Sequence, residues 1–318
     1  MKVRFWGTRG SLPVSLTATD IRSKLLAALQ LAQGRNLALP GALDAFVDSL
    51  DFDVAGTYGG NSSCVQIDLG ATEHVILDMG SGLRAFGQSM MRRHGPEAPQ
   101  TYHIFLSHLH WDHIMGLPLF TPAYLPGNRI VVHTCHSQAE FALRRQQDAP
   151  SFPVGFERFA ARFEFDLVEP ERTVPIAGML VTAHRQRHAG ESFGWRFDFG
   201  GKRLVYTTDS EHRVEQDDER RGFIEFFRDA DVVIFDAMYS LADAVSVKED
   251  WGHSSNIVGV ELCHAAGVRR LVMFHHEPSY SDRQIRQVLD ETRRYEELTR
   301  EGHSVQVLSA FDGLELSL

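Results

Sequence analysis

The segment His108-Leu109-His110-Trp111-Asp112-His113 packs three imidazoles and a carboxylate into six residues, directly after the apolar run 102–107. Imidazole and carboxylate are the ligand types that suit zinc and related divalent ions. Four polar groups at the end of a strand and bordered by core are costly to bury unpaired, and metal coordination removes that cost. A solvated polar loop is the competing explanation, but loops rarely gather three histidines and an aspartate in this way. The cluster therefore predicts a fold in which a strand end meets other strand ends carrying further ligands.

Those further ligands must come from elsewhere, because one such cluster cannot fill two metal shells. His188 follows the predicted strand 179–187, Asp209 follows 202–206 and His275 follows 270–274. His184 competes with His188 but lies inside its strand. Four strand residues span about 13 Å, too far for both to serve one metal. His275 and His276 are adjacent, so strand alternation points them to opposite sides and only one is expected to be a ligand.

Periodicity organises the rest of the chain. Strands are expected at 1–6, 64–69, 74–78, 102–107, 129–133, 163–168, 179–187, 193–199, 202–206, 232–235 and 270–274, with a hairpin around Gly200-Gly201. Helices are expected at 20–33 with Asp20 as N-cap, at 41–50, 81–94 and 256–266, and at 283–300 with Asp282 as N-cap and Gly302 as terminator. Strands in runs with helices between and after them fit two mixed sheets packed together with helices outside.

The 318 residues carry a formal net charge of −10, which argues against a general nucleic-acid binder. It does not exclude a small anionic substrate, since bound cations reverse the potential of a site. No apolar run reaches membrane-spanning length. The three cysteines, Cys64, Cys135 and Cys263, are far apart and odd in number, so a reducing, cytoplasmic compartment is expected instead of a disulfide framework.

The six-residue cluster matches the HxHxDH signature of the metallo-β-lactamase superfamily. Leu77-Asp78-Met79-Gly80-Ser81-Gly82, His188-Ala189-Gly190, Thr208-Asp209 and Phe274-His275-His276 resemble that superfamily's remaining motifs in the right order. The resemblance covers almost the whole chain. It implies an α/β fold, an αββα sandwich of two mixed β-sheets with helices on the outer faces, forming a single domain over 1–318 with a helical insertion at about 15–56. It implies two divalent metal ions, zinc first and manganese or iron as alternatives. His108, His110 and His188 would bind one metal, Asp112, His113 and His275 the other, and Asp209 would bridge them. Asp78 would hold a loop or a ligand in place.

Two more stretches, Gly7-Thr8-Arg9-Gly10-Ser11 and Tyr58-Gly59-Gly60-Asn61-Ser62-Ser63-Cys64, resemble the group containing ribonuclease Z and the cyclic phosphodiesterase of phosphonate breakdown. Gly252-His253-Ser254-Ser255 is similar to that group's His-Ser-Thr element, departing from it at Ser255. By that resemblance His253 sits beside the metals and handles protons. Asp112 and His253 are the catalytic candidates. A helix N-cap region with an incidental histidine is the competing account of this element.

The function this implies is hydrolysis of a small cyclic or linear nucleotide-like phosphodiester. Two cations about 3.5–4 Å apart neutralise a diester and lower the pKa of a bridging water, giving a hydroxide placed for in-line attack. His253 would protonate the leaving alkoxide, and Arg9 is a candidate clamp for a phosphate oxygen. Trp6, Trp111, Phe193 and Trp195 are candidates for stacking a nucleobase, against core packing as the ordinary role. His94, His133, His136 and His303 read as surface or packing residues. A ribonuclease Z-like endoribonuclease is the main alternative, weakened because no glycine- and basic-rich arm appears between His113 and His188. A lactonase, a thioesterase and a non-catalytic sensor complete the set. Expected partners are a small anionic phosphodiester, with neither a membrane nor structured nucleic acid. The insertion is expected to form a lid beside the site or a homodimer contact, against a packing helix remote from the metals as the competing account.

Overall fold

A computed structural model of the protein describes residues 1–70, 73–212, 217–240 and 252–318. Two seven-stranded sheets lie face to face among these residues. In chain order the first sheet is built from β1 (Lys2–Gly7), β2 (Cys64–Asp68), β3 (Glu73–Leu77), β4 (Thr101–Leu106), β5 (Arg129–Thr134) and β6 (Arg162–Leu167). The second contains β7 (Thr173–Ile176), β8 (Met179–Gln186), β9 (Ser192–Phe199), β10 (Lys202–Thr207), β11 (Val232–Asp236), β12 (Arg270–Phe274) and β13 (Gln306–Ser309). The last strand, β14 (Glu315–Ser317), returns to pair with β1 at the edge of the first sheet.

Both sheets are mixed in the same way. In the first, β3 to β6 run parallel and β14, β1, β2 and β3 pair antiparallel. In the second, β10 to β13 run parallel and β7 to β10 pair antiparallel. Alternation along each strand divides the core into layers. Val3, Phe5, Phe105, Trp195, Phe197, Tyr206 and Phe274 fill the space between the sheets. Alternate residues such as Tyr102, Ile104 and Leu106 face outward to meet helix α4 (Gly82–His94), and Val205, Val233 and Leu271 do the same toward helix α8 (Asn256–Ala266) and helix α9 (Asp282–Thr299). This is the αββα sandwich expected from the sequence.

Helices α1 (Ala18–Leu31), α2 (Ala42–Asp48) and α3 (Phe52–Ala55) make up the insertion. No residue of α1 is buried, and Ile21, Leu25 and Leu29 are exposed. Shorter helices α5 (Trp111–Ile114) and α6 (Ala139–Arg145), with α7 (Asp217–Phe227), complete the described set. Among the described residues no helix is long and apolar enough to cross a membrane.

Two helix starts differ from the sequence reading. The N-cap of α1 is Thr17, whose hydroxyl accepts from Asp20 N while the Asp20 carboxylate accepts from Thr17 N at 2.8 Å. That of α9 is Ser281, paired with Gln284 in the same reciprocal way. Asp20 and Asp282 are therefore inside the first turn, where a carboxylate complements the helix dipole. Asp282 also accepts from Tyr58 N at 2.9 Å and pairs with Lys24 at 2.7 Å, tying the insertion to α9.

Candidate metal centre

The parallel strands β10, β11 and β12 end on one edge of the second sheet, opposite the end of β4, and the chemistry-bearing residues collect where those ends meet. His108, His110, His188 and Asp209 form one group whose ligand atoms all lie within 4.8 Å of one another. Asp112, His113, Asp209 and His275 form a second such group. Asp209 belongs to both. Its Oδ1 lies 3.1 Å from His113 Nε2 and 3.2 Å from His275 Nε2. Its Oδ2 lies 3.6 Å from His108 Nε2 and 3.8 Å from His188 Nε2. One carboxylate oxygen thus faces each group. All seven residues expected as ligands are brought together.

The local backbone is shaped for this. Asp78, Asp209 and His275 have φ of 59°, 45° and 60°, the left-handed region that non-glycine residues rarely adopt. Such strain persists only where surrounding structure enforces it. Each of the three stands one or two residues beyond a strand, so the strained turn re-aims the side chain into the cleft. Two glycines make room. A Cβ at Gly10 would meet His275 Nδ1 at 2.6 Å, and one at Gly252, itself at φ 80°, would meet His188 Nδ1 at 2.5 Å.

Buried partners orient the imidazoles. Asp78 Oδ2 accepts from His113 Nδ1 at 2.8 Å, from Ser107 Oγ at 2.7 Å and from Tyr206 OH at 2.7 Å, while its Oδ1 accepts from Ser107 N at 2.7 Å. It therefore positions His113. His188 Nδ1 donates to Gly252 O at 2.8 Å. Fixing one ring nitrogen in this way presents the other to the cleft. Asp112 Oδ2 accepts from Ser11 N at 2.9 Å, which joins the opening turn to the site.

The electrostatics fit a cation. Burial lowers the pKa of His108 and His110, with neighbouring imidazoles adding to the effect, so both favour the neutral ligand form. Burial acts to raise the Asp112 and Asp209 carboxyls, but the surrounding histidines hold both well below the usual carboxylate range. His108 Nε2 is buried with no hydrogen-bond partner, a cost that a metal–nitrogen bond would remove. The donor set and this orphaned nitrogen fit bound divalent metal.

His253 lies against this cluster, its ring stacked 5.2 Å from that of His275 and tilted 5.2 Å from that of His188. Asp236 Oδ2 accepts from its Nδ1 at 2.8 Å. Burial would depress His253, but the nearby carboxylates, Asp236 foremost, outweigh it and hold the group up to about 9. Ser255 caps α8, its hydroxyl accepting from Val258 N, so serine keeps the helix start while His253 faces the metals' position. Asp236 is the residue the sequence reading missed. It ends the wholly buried strand β11, so the strand-end rule that found Asp209 and His275 also points to it.

Other expectations are corrected. Arg9 is no phosphate clamp. It is 2% exposed, and its guanidinium donates to Gly59 O, Glu277 O and Tyr280 O, stapling the opening turn to two loops. Trp6, Phe193 and Trp195 are core residues that cannot stack a base, whereas Trp111 is 66% exposed beside the cluster. His184 pairs with Glu171 and stacks on Phe226, away from the ligands. His276 Nε2 donates to Ala310 O and is not a ligand.

Comparison with known proteins bears on the family and the fold. The family model described as "Beta-lactamase superfamily domain" matches residues 73–276. A ribonuclease Z of Nostoc sp. is 24% identical over 253 residues, covering 65% of this chain and 75% of its own length. The crystal structure of a diphosphatase from the PhnP family superposes with a TM-score of 0.60 at 18% identity, over 100% of this chain and 97% of that one. Zn2+-bound PqqB from Methylobacterium extorquens superposes with a TM-score of 0.65 at 16% identity, over 100% of both chains.

Proposed function

Because the chain belongs to the metallo-β-lactamase superfamily of hydrolases, we propose that it is a dinuclear phosphodiesterase acting on small cyclic or linear nucleotide-like diesters. The observation that carries this reading is the placement of Asp209, with one oxygen toward each group of ligands. His108, His110 and His188 would hold one metal, Asp112, His113 and His275 the other, with Asp209 shared between the two groups. The ligand types favour zinc, with manganese or iron as alternatives. When bound, the metal pair supplies the positive charge that neutralises a phosphodiester and acidifies water.

The protein's own groups do the rest. Asp236 fixes the His253 ring through Nδ1, which leaves Nε2 to deliver a proton to the leaving oxygen. Asp78 and Gly252 O keep His113 and His188 in register, so the cleft needs little rearrangement when substrate arrives. Trp111, exposed beside His110, offers a face for a nucleobase. Three cysteines without a disulfide support a reducing, cytoplasmic setting.

The similarity to ribonuclease Z favours a second reading, cleavage of precursor tRNA. Against it, the segment between His113 and His188 is taken up by β5 to β8 and α6 with their connecting turns. The net charge of −10 also disfavours a large polyanion. Assaying the zinc- or manganese-loaded protein on aryl and nucleotide phosphodiesters, a lactone, a thioester and a structured precursor tRNA separates these. Turnover is expected on the diesters. Efficient tRNA cleavage with inert small diesters would move the assignment to the ribonuclease, and lactone or thioester turnover alone would reject both.

A further inference from the structure

The turn that opens the chain touches two members of the second ligand group. Ser11 N donates to Asp112 Oδ2 at 2.9 Å, and Gly10 packs so closely on His275 that a Cβ there would meet Nδ1 at 2.6 Å. Ser11 has a φ of 56°, in the left-handed region, and Leu12 N donates back to Gly10 O across it. A non-glycine residue keeps such a conformation only while its surroundings enforce it. Arg9 is the enforcing neighbour, its guanidinium reaching Gly59 O, Glu277 O and Tyr280 O behind the turn. Arg9 in turn lies against Asp282, which is 4% exposed. Asp282 Oδ1 is 3.9 Å from Arg9 Nη2 and accepts from Tyr58 N at 2.9 Å and from Thr57 Oγ1 at 3.1 Å, beside the Gly59 carbonyl that holds Arg9. Its Oδ2 pairs with Lys24 Nζ at 2.7 Å. Lys24 also donates to Asp53 O and to Gly56 O. An ammonium has three N–H donors, and these three contacts use them all. Lys24 stands on α1, a helix with no buried residue, yet its own side chain is only 17% exposed.

We propose that Lys24 is a positioning residue for the metal site built on Asp112 and His275, acting through Asp282 and the Arg9 turn. The inference rests on the dinuclear reading above. A buried carboxylate stripped of its cation is costly and draws on whatever partner it can reach. Without Lys24, the buried Asp282 Oδ2 has no hydrogen bond, and Arg9, already 3.9 Å from Oδ1, is a cation it can turn to. Movement of either side chain pulls on the loop at Thr57, Tyr58 and Gly59. Arg9 carries that movement to the strained turn, and the Ser11 N–H loses its aim at Asp112. The first ligand group has other supports. His188 Nδ1 is held by Gly252 O, and His108 Nδ1 lies 3.1 Å from Ser107 Oγ. The effect of Lys24 therefore falls on one metal of the pair.

Zinc titration of the metal-free whole protein, in competition with a chromogenic chelator, tests this without reference to turnover. Wild type should bind two zinc ions per chain, with two measurable affinities. Lys24→Met should weaken one of them by about 10-fold, the lower end of what losing a supporting partner does. The other affinity should match wild type, which also shows that the fold is intact, and saturation should still come at two zinc ions. Lys24→Arg keeps the charge, and the open groove bordered by Lys24, Ser23, Ala27 and Asp53 admits the longer side chain, so it should restore the weakened affinity. Two unchanged affinities in Lys24→Met, or two weakened equally, would make Lys24 a helix anchor alone and overturn the proposal. A Lys24→Arg variant as weak as Lys24→Met would overturn it too. A wild type that binds fewer than two zinc ions would instead sink the dinuclear reading, and this inference with it.

Discussion

The Asp236 carboxylate and the His253 imidazole form a 2.8 Å hydrogen bond through Oδ2 and Nδ1, and the ring so held stacks on His275. Asp236 also accepts from Ser210 N and Met238 N, so its own position is fixed. If His253 protonates the leaving group, His253→Ala should slow diesters with alkoxide leaving groups by about 10²–10⁴-fold. Nitrophenolate esters, which need little protonation, should be affected far less. Asp236→Asn should give the same pattern more weakly. Steady-state kinetics on both ester types check this, and an equal loss on both would make His253 a positioning residue.

Asp78 accepts four hydrogen bonds from three residues and is fully buried. Asp78→Asn keeps the volume but cannot accept from all of them, and His113 loses the partner that fixes its tautomer. Metal affinity at the second group should fall by about 10–100-fold. Competition with a chromogenic chelator measures it; affinity equal to wild type would mean that the Asp112 and Asp209 contacts alone hold His113 in place.

Stability should depend on His133. Its folded pKa is depressed to about 4 by burial, against about 6.5 in an unfolded chain. The unfolded state therefore binds more protons between these values, and stability falls as pH drops through that window. The loss between pH 7 and pH 5 should be about 2 kcal/mol. Urea unfolding without added zinc should show that part of the slope in wild type and its absence in His133→Asn. Identical pH slopes would contradict the assignment.

The insertion presents Ile21, Leu25 and Leu29 on a helix with no buried residue. Deleting residues 18–52 should change substrate preference or oligomeric state while leaving metal content intact. Kinetics and light scattering together check this, and no change in either would exclude both a lid and a dimer contact.

Much of the centre was legible because its ligands obey one rule, a polar residue at or just beyond the end of an apolar strand. That rule places His108, His188, Asp209 and His275, and applied to β11 it would have added Asp236. Arg9 was misread because sequence shows a charged residue in a turn but not the three carbonyls that fold around it. The strands β7, β13 and β14 escaped notice because they are only three or four residues long and sit at or near sheet edges, where pairing partners and not periodicity define them. The Lys24–Asp282 pair was invisible for a similar reason. Only the packing of the insertion against α9 brings the two side chains together.

The metal content of wild type and Asp209→Ala tests the central claim most directly. Both proteins would be loaded with zinc, freed of loosely held metal by gel filtration and measured by elemental analysis. Because Asp209 offers an oxygen to each group of ligands, wild type should retain two metals per chain and Asp209→Ala fewer than one. A wild-type protein holding one metal or none, or an Asp209→Ala variant that keeps two, would contradict a shared dinuclear centre.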